Sequence, residues 1–161
     1  MDRLENKVII VTGAATGLGL ADARALTAEG ARVIMTDIDV DKGTEEAKDL
    51  DATFFAQDVS KESSWLELMT FVQEKFGRLD GLVNNAGIAP IAHIEEVTAE
   101  SWRQVLGIHL DGTLWGCQGA IKLMKEGGGG SIVNMSSTAA LIGIGSYLAY
   151  SAAKGGIRDR K

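Results

Sequence analysis

The chain has 161 residues, 45% of them apolar and 24% charged, with a formal net charge of −6. That length favours one domain with a sizeable core, and the acidic balance with scattered Lys and Arg argues against a nucleic-acid partner. Cys117 is the single cysteine, which excludes an intrachain disulfide, and no stretch reaches the ~20 apolar residues of a membrane span.

The opening "MDRLENKVIIVTG" holds an apolar run, 8–11, too short for a signal-peptide core. A cytoplasmic location is the expectation. "KVIIVT" (7–12) reads as a first buried strand, and the next segment, 17–29, reads as a helix ending at Gly30. "ARVIMTD" (31–37) and "ATFFAQD" (52–58) are further strands. In "SKESSWLELMTFVQEKFG", Ser60 is the expected cap; Trp65, Leu68, Met69, Val72 and Phe76 recur at helical spacing, and Gly77 ends the helix.

"LDGLVNN" (79–85) is the fourth strand; Thr98 caps the segment "AESWRQVLGIHL" (99–110), a further helical stretch runs to about Met124, and "SIVNMSS" (131–137) is the fifth strand. "EGGGGS" (126–131) leads into a strand, so it reads as a turn; a phosphate cradle leads into a helix. Strands that are continuously apolar suggest a parallel sheet covered on both faces. The alternation predicts an α/β, Rossmann-type doubly wound parallel sheet in one dinucleotide-binding domain over 1–161.

"VTGAATGLG" sets Gly13, Gly17 and Gly19 between the first strand and the first helix. Glycines there allow a tight turn and close approach to a pyrophosphate, and the helix N-terminus supplies free N–H groups. Asp37 ends the second strand, 18 residues after Gly19, where a carboxylate can accept from an adenine-ribose hydroxyl. A plain helix-capping role for Asp37 competes with that reading, although Asp39 and Asp41 could serve instead. Tyr150 and Lys154 stand one helical turn apart, so an ammonium can favour the phenolate of a tyrosine that is otherwise too weak an acid. A bare Y-x-x-x-K is ordinarily an exposed helix pair; its position behind the fifth strand argues otherwise.

The G-x-x-x-G-x-G spacing, "NNAG" after the fourth strand and "YSAAK" after the fifth together resemble the short-chain dehydrogenase/reductase family, along the whole chain and in order. The resemblance implies an oxidoreductase that passes a hydride between NAD(H) and a secondary alcohol or ketone. It implies that Gly13, Gly17 and Gly19, with Thr16 and Leu18 in the same turn, hold the pyrophosphate, and that Asp58 and Val59 contact the adenine. Asn84, Asn85, Ala86 and Gly87 would stabilise the sheet and border the cofactor. Ser137, Tyr150 and Lys154 match the catalytic trio, with Tyr150 and Lys154 also beside the nicotinamide ribose. Ser136 and Tyr147 are the neighbours most easily mistaken for members of it, but Tyr147 has no lysine four residues on.

One position departs from the family. "HLDG" sets His109 where an asparagine is expected, and an imidazole can also bond a water and take part in the relay. An ordinary packed histidine is the competing reading. His93, His109 and Cys117 have no metal-ligand spacing, so no metal is expected. Gly112, Gly116 and Gly119 fit either a homo-dimer or tetramer contact or close packing within the chain.

The resemblance covers about the first two-thirds of a member. What lies beyond would supply two strands, a Pro-Gly loop beside the nicotinamide and the substrate lid, and "RDRK" departs from the usual apolar continuation. The expectation is a truncated chain with its fifth strand as an exposed edge, poorly stable and inactive by itself. The alternative function is a non-catalytic nucleotide-binding fragment or assembly partner. A sugar-nucleotide epimerase fits less well, because "GAATGLG" does not match the G-x-x-G-x-x-G of that type.

Overall fold

The computed structural model describes residues 2–159; Arg160 and Lys161, the end of the charged tail, lie outside them. Five strands form one parallel sheet: β1 (Val8–Thr12), β2 (Arg32–Asp37), β3 (Thr53–Ala56), β4 (Gly81–Asn84) and β5 (Ser131–Asn134). Their order is β3-β2-β1-β4-β5. The chain moves outward from β1 to β3, then returns to the far side of β1. In open α/β sheets, ligands bind beyond the carboxyl ends of the strands where the connections reverse, here between β1 and β4.

The helices are α1 (Gly17–Ala28), α2 (Val40–Asp49), α3 (Glu62–Phe76), α4 (Ala99–Leu106), α5 (Gly112–Glu126) and α6 (Leu148–Arg158). A π-helical turn, Gly107–Asp111, joins α4 to α5. This is the α/β, Rossmann-type arrangement that the strand pattern predicts.

Successive β1 side chains go to opposite faces. Val8 and Ile10 join Ile34 and Leu82 against Trp65, Leu68 and Val72 of α3 and Leu123 of α5. Ile9 and Val11 join Val33 and Met35 against Ala23 of α1 and Ala47 of α2. Covering on both faces is why these strands read as unbroken apolar runs. The edge strand β5 differs: Val133 is 48% exposed.

Local chemistry sets the element ends. Gly77 closes α3 with φ +69°, and Thr98 caps α4 by accepting from the Ser101 N–H. Gly128 and Gly129, at φ +89° and +120°, make the glycine run a turn into β5. Ser60 does not cap α3. Its hydroxyl donates to Asp58 Oδ1 at 2.6 Å, and Lys61 takes the cap position without a side-chain bond. The helix opens at Glu62, one residue too late for Ser60 to stand at the cap, and the Ser60 hydroxyl instead holds the Asp58 carboxylate.

The α5 glycines face α3 and the loop before it. A Cβ would lie 2.8 Å from Val59 O at position 112, 2.6 Å from Trp65 Cη2 at 116 and 2.8 Å from Met69 Cγ at 119. The stripe is close packing within the chain.

Candidate active site

Behind β1 the backbone turns at Gly13, φ +64°, and α1 opens at Gly17, φ +59°, both in the region that favours glycine. Gly19 is needed for space: a Cβ there would lie 2.3 Å from Gly13 O and 2.5 Å from Asn85 Nδ2. Thr12 ties this turn to the end of β4. Its Oγ1 accepts from the N–H groups of Asn85 (3.1 Å) and Ala86 (3.0 Å). Asn85 Nδ2 returns bonds to Thr12 O (2.9 Å) and Gly13 O (3.2 Å). Asn84 instead reaches β5, donating to Asn134 Oδ1 at 2.8 Å.

Asp37 is clamped in place. Oδ2 accepts from the Ala15 N–H at 3.0 Å, and Oδ1 accepts from the Asp39 N–H at 3.1 Å. Asp39, not Asp37, caps α2 through the Lys42 N–H. Asp58 is held by the Ser60 hydroxyl and N–H and by an ion pair with Lys61 at 3.1 Å. Burial opposes its ionisation, but these partners outweigh that and keep its pKa below the ordinary carboxylate value.

These segments enclose a cleft of about 400 Å³. Gly13, Thr16, Leu18, Asp37, Asp58, Val59, Asn85, Ala86 and Gly87 all line it. Gly17 and Gly19 shape the turn without lining the cleft, and Tyr150 and Lys154 lie in a separate cluster. The residues suit a dinucleotide. Thr16, at the N-cap of α1, makes no side-chain cap bond, so the first amides of that helix are open to an anion. At Gly17 nothing lies within 4 Å of where a Cβ would be, which leaves the turn open to close approach. Among the described residues, no Lys or Arg lines the cleft.

The second cluster is built on α6. Lys154 is only 5% exposed, and Nζ donates to Met135 O. Burial lowers its pKa to about 8. Nζ lies 5.6 Å from the Tyr150 ring centroid. His109 meets the same ring edge-on, with centroids 5.3 Å apart and planes at 83°. Tyr147 is the neighbouring ring, at 6.1 Å. Ser136 Oγ donates to Lys154 O at 3.2 Å. Ser137 caps the short 3-10 turn Thr138–Ala140, where its Oγ accepts from the Ala139 N–H at 3.2 Å. It makes no hydrogen bond to Tyr150. Ile88 joins the two clusters, since it lines the cleft and its backbone bonds His109.

A sequence model of the short chain dehydrogenases matches residues 7–159. The chain belongs to the short-chain dehydrogenase family. It is 42% identical over 98% of its length to the NADP-dependent (R)-specific alcohol dehydrogenase of Lentilactobacillus kefiri, covering 64% of that protein. It is 41% identical over 96% to the D-threitol dehydrogenase of Mycolicibacterium smegmatis, covering 62%. It is 40% identical over 97% to the 3-beta-hydroxysteroid dehydrogenase of Comamonas testosteroni, again covering 62%. The chain thus spans a little under two-thirds of the length of these curated relatives.

As a short-chain dehydrogenase the chain carries further cleft residues that motif reading passes over. Ile38, Gln57, Ile88 and Ile108 also line the cleft. Gln57 is buried, with Oε1 accepting from the Thr36 hydroxyl at 2.7 Å. A polar residue directly before Asp58 at a strand end is the one signal that could have marked it. Ile88 sits in the loop after β4 and Ile108 in the π-helical turn, and nothing local distinguishes them.

Proposed function

We propose that residues 1–161 form one dinucleotide-binding domain of a dehydrogenase that interconverts a secondary alcohol and its ketone with NAD(H). The observation that carries this reading is the pairing of Tyr150 with the buried Lys154, beside the cleft of a short-chain dehydrogenase. The relatives' names, an alcohol dehydrogenase and a hydroxysteroid dehydrogenase among them, support an alcohol as substrate class.

Gly13, Thr16, Gly17, Leu18 and Gly19 would hold the pyrophosphate, Asp37 the adenine ribose, and Asp58 with Val59 the adenine. Asn85, Ala86, Gly87, Tyr150 and Lys154 would border the nicotinamide end. When bound, the nicotinamide supplies the hydride acceptor or donor. Tyr150 takes the proton of the alcohol in the oxidative direction and returns it in the reductive one. Lys154, charged below about pH 8, favours the phenolate. Ser137 would donate to the substrate oxygen as charge builds there. It can do so while still accepting from Ala139, because a hydroxyl has one donor and two acceptor sites. His109 completes the group from the helix side.

The preference for NAD(H) rests on the Asp37 carboxylate and on a cleft lining that, among the described residues, holds no Lys or Arg. A 2′-phosphate there would face a like charge and find no cationic partner. The Lentilactobacillus relative is by name NADP-dependent, so the choice is tested directly, by titrating the chain with NADH and NADPH. Alcohol-dependent NADH formation by the chain extended with a relative's C-terminal third tests the activity. Binding of neither nucleotide would end the reading.

A further inference from the structure

Gln57 is 3% exposed and borders the cleft just past the end of β3. Its backbone N–H donates to Asp37 O at 2.9 Å, which ties it to the end of β2. Its side chain is held at one end only: Oε1 accepts from the Thr36 hydroxyl at 2.7 Å. Thr36 is itself buried, so water does not compete for that bond. The other end, Nε2, is buried and makes no hydrogen bond within the chain. A buried amide donor without a partner is costly, and one that persists in a native fold calls for a reason.

The neighbouring groups show what this donor adds. Asp37 and Asp58 line the same end of the cleft, and an ionised carboxylate only accepts. The Asn85 amide is already committed to Thr12 O and Gly13 O. Among the described residues that line the cleft, Gln57 is then the one with an uncommitted side-chain amide N–H. Adenine has the complementary need: it carries one amino donor and several ring-nitrogen acceptors, N7 and N3 among them. A carboxylate serves the amino group, but a ring nitrogen requires an N–H.

We propose that Gln57 is a cofactor-contacting residue whose Nε2 donates to a ring nitrogen of adenine, with Thr36 as the positioning residue that fixes the amide. The inference rests on the reading of the cleft as a dinucleotide site. It accounts for two buried polar side chains, Thr36 and Gln57, that stand directly before the two cleft carboxylates, Asp37 and Asp58. An apolar pair of the same shape would pack there without leaving a donor unmet. The polar pair makes physical sense where a base completes it.

Calorimetric titration of the whole chain with AMP and with its deaza forms, in each of which one ring nitrogen is replaced by C–H, tests this without altering the protein. One deaza form should bind about 5–10-fold more weakly than AMP, the scale of one lost hydrogen bond. Equal binding of AMP and every deaza form overturns the proposal, and no variant has to fold for that result. In Gln57→Met, which keeps the side chain's length without a donor, AMP binding should fall by the same factor and the deaza penalty should vanish. A penalty that persists in Gln57→Met assigns the donor elsewhere and overturns the contact. Reduced nicotinamide mononucleotide, which lacks the adenine, should bind both chains alike; if Gln57→Met weakens it as much as AMP, the role is merely structural and the contact falls. Thr36→Val should weaken AMP binding, and Thr36→Ser, which keeps the hydroxyl, should restore it. A Thr36→Val chain that binds AMP unchanged removes Thr36 from the positioning role. AMP and NADH bound without a deaza penalty sink the contact alone; binding of neither sinks the reading of the cleft and the contact with it.

Discussion

Gly87 and His109 are in such close contact that a Cβ at position 87 would lie 2.3 Å from His109 Cε1 and 3.0 Å from Nδ1. Glycine is required here for space, and its φ is not in the left-handed region. Gly87→Ala should therefore destabilise the protein by about 1–3 kcal/mol, the usual cost of overpacking. In a His109→Ala background the same change should cost well under ~1 kcal/mol, because the added methyl then has room. Thermal melts of the four chains give the coupling energy. Equal costs in both backgrounds would show that the ring is not what excludes a side chain.

Tyr150→Phe removes only the phenolic hydroxyl. The ring contacts with His109 and Tyr147 survive, so cofactor binding should be nearly intact. In a chain extended by a relative's C-terminal third, turnover of a secondary alcohol should fall by at least ~10²-fold, the scale of general acid–base loss. A variant that keeps more than about a tenth of the rate would remove Tyr150 from the proton-exchanging role.

Asp37 should make NADH bind at least about tenfold more tightly than NADPH, a difference of ~1.4 kcal/mol. Asp37→Asn keeps one acceptor for the Ala15 or Asp39 N–H but removes the charge, so the gap should narrow. Fluorescence titrations of both chains with both nucleotides check this. Equal affinities in the unaltered chain would defeat the NAD(H) preference.

Asp80 predicts an acid-sensitive fold. It joins Lys7 (3.1 Å), Arg78 and the Val8 N–H (3.0 Å) at the start of β1 and β4. Burial opposes its ionisation, yet the bonds from Arg78, Val8 and Lys7 outweigh it and bring the pKa down to about 2. A depressed carboxylate pKa stabilises the fold fully above the unfolded value near ~4, and that contribution is lost as the pH falls toward about 2. Asp80→Asn should cost about 1–3 kcal/mol at neutral pH and flatten the acid limb of the melting curve. An unchanged limb would mean that other carboxylates set it.

Lys154 acts in the opposite sense. Its folded pKa, about 8, lies below the ordinary lysine value, so the unfolded chain binds the extra proton between the two. Stability should therefore rise as pH climbs from about 8 toward ~10, and Lys154→Met should abolish that rise. Melting curves across this range decide it. A Lys154→Met chain with the same rise would place its source elsewhere.

Much of this was legible in the sequence, because it is local. The unbroken apolar runs of β1 and β2 announce strands covered on both faces, and the reversal point lies just behind the glycine turn. Thr98, Gly77 and the Tyr150–Lys154 spacing act within one helical turn, where side-chain geometry follows from position alone. Relations across distant segments could not be read that way. The α5 glycines gained their meaning from Val59, Trp65 and Met69, on α3 and the loop before it. His109 bonds Ile88 across 21 residues, and Asn85 bonds Thr12 across 73. Hydrogen-bond periodicity and apolar spacing are properties of neighbouring residues, so the sequence alone determined the elements and their order. Which residues meet at the cleft depends on how the sheet brings the ends of β1 and β4 together, and only the tertiary structure decided that.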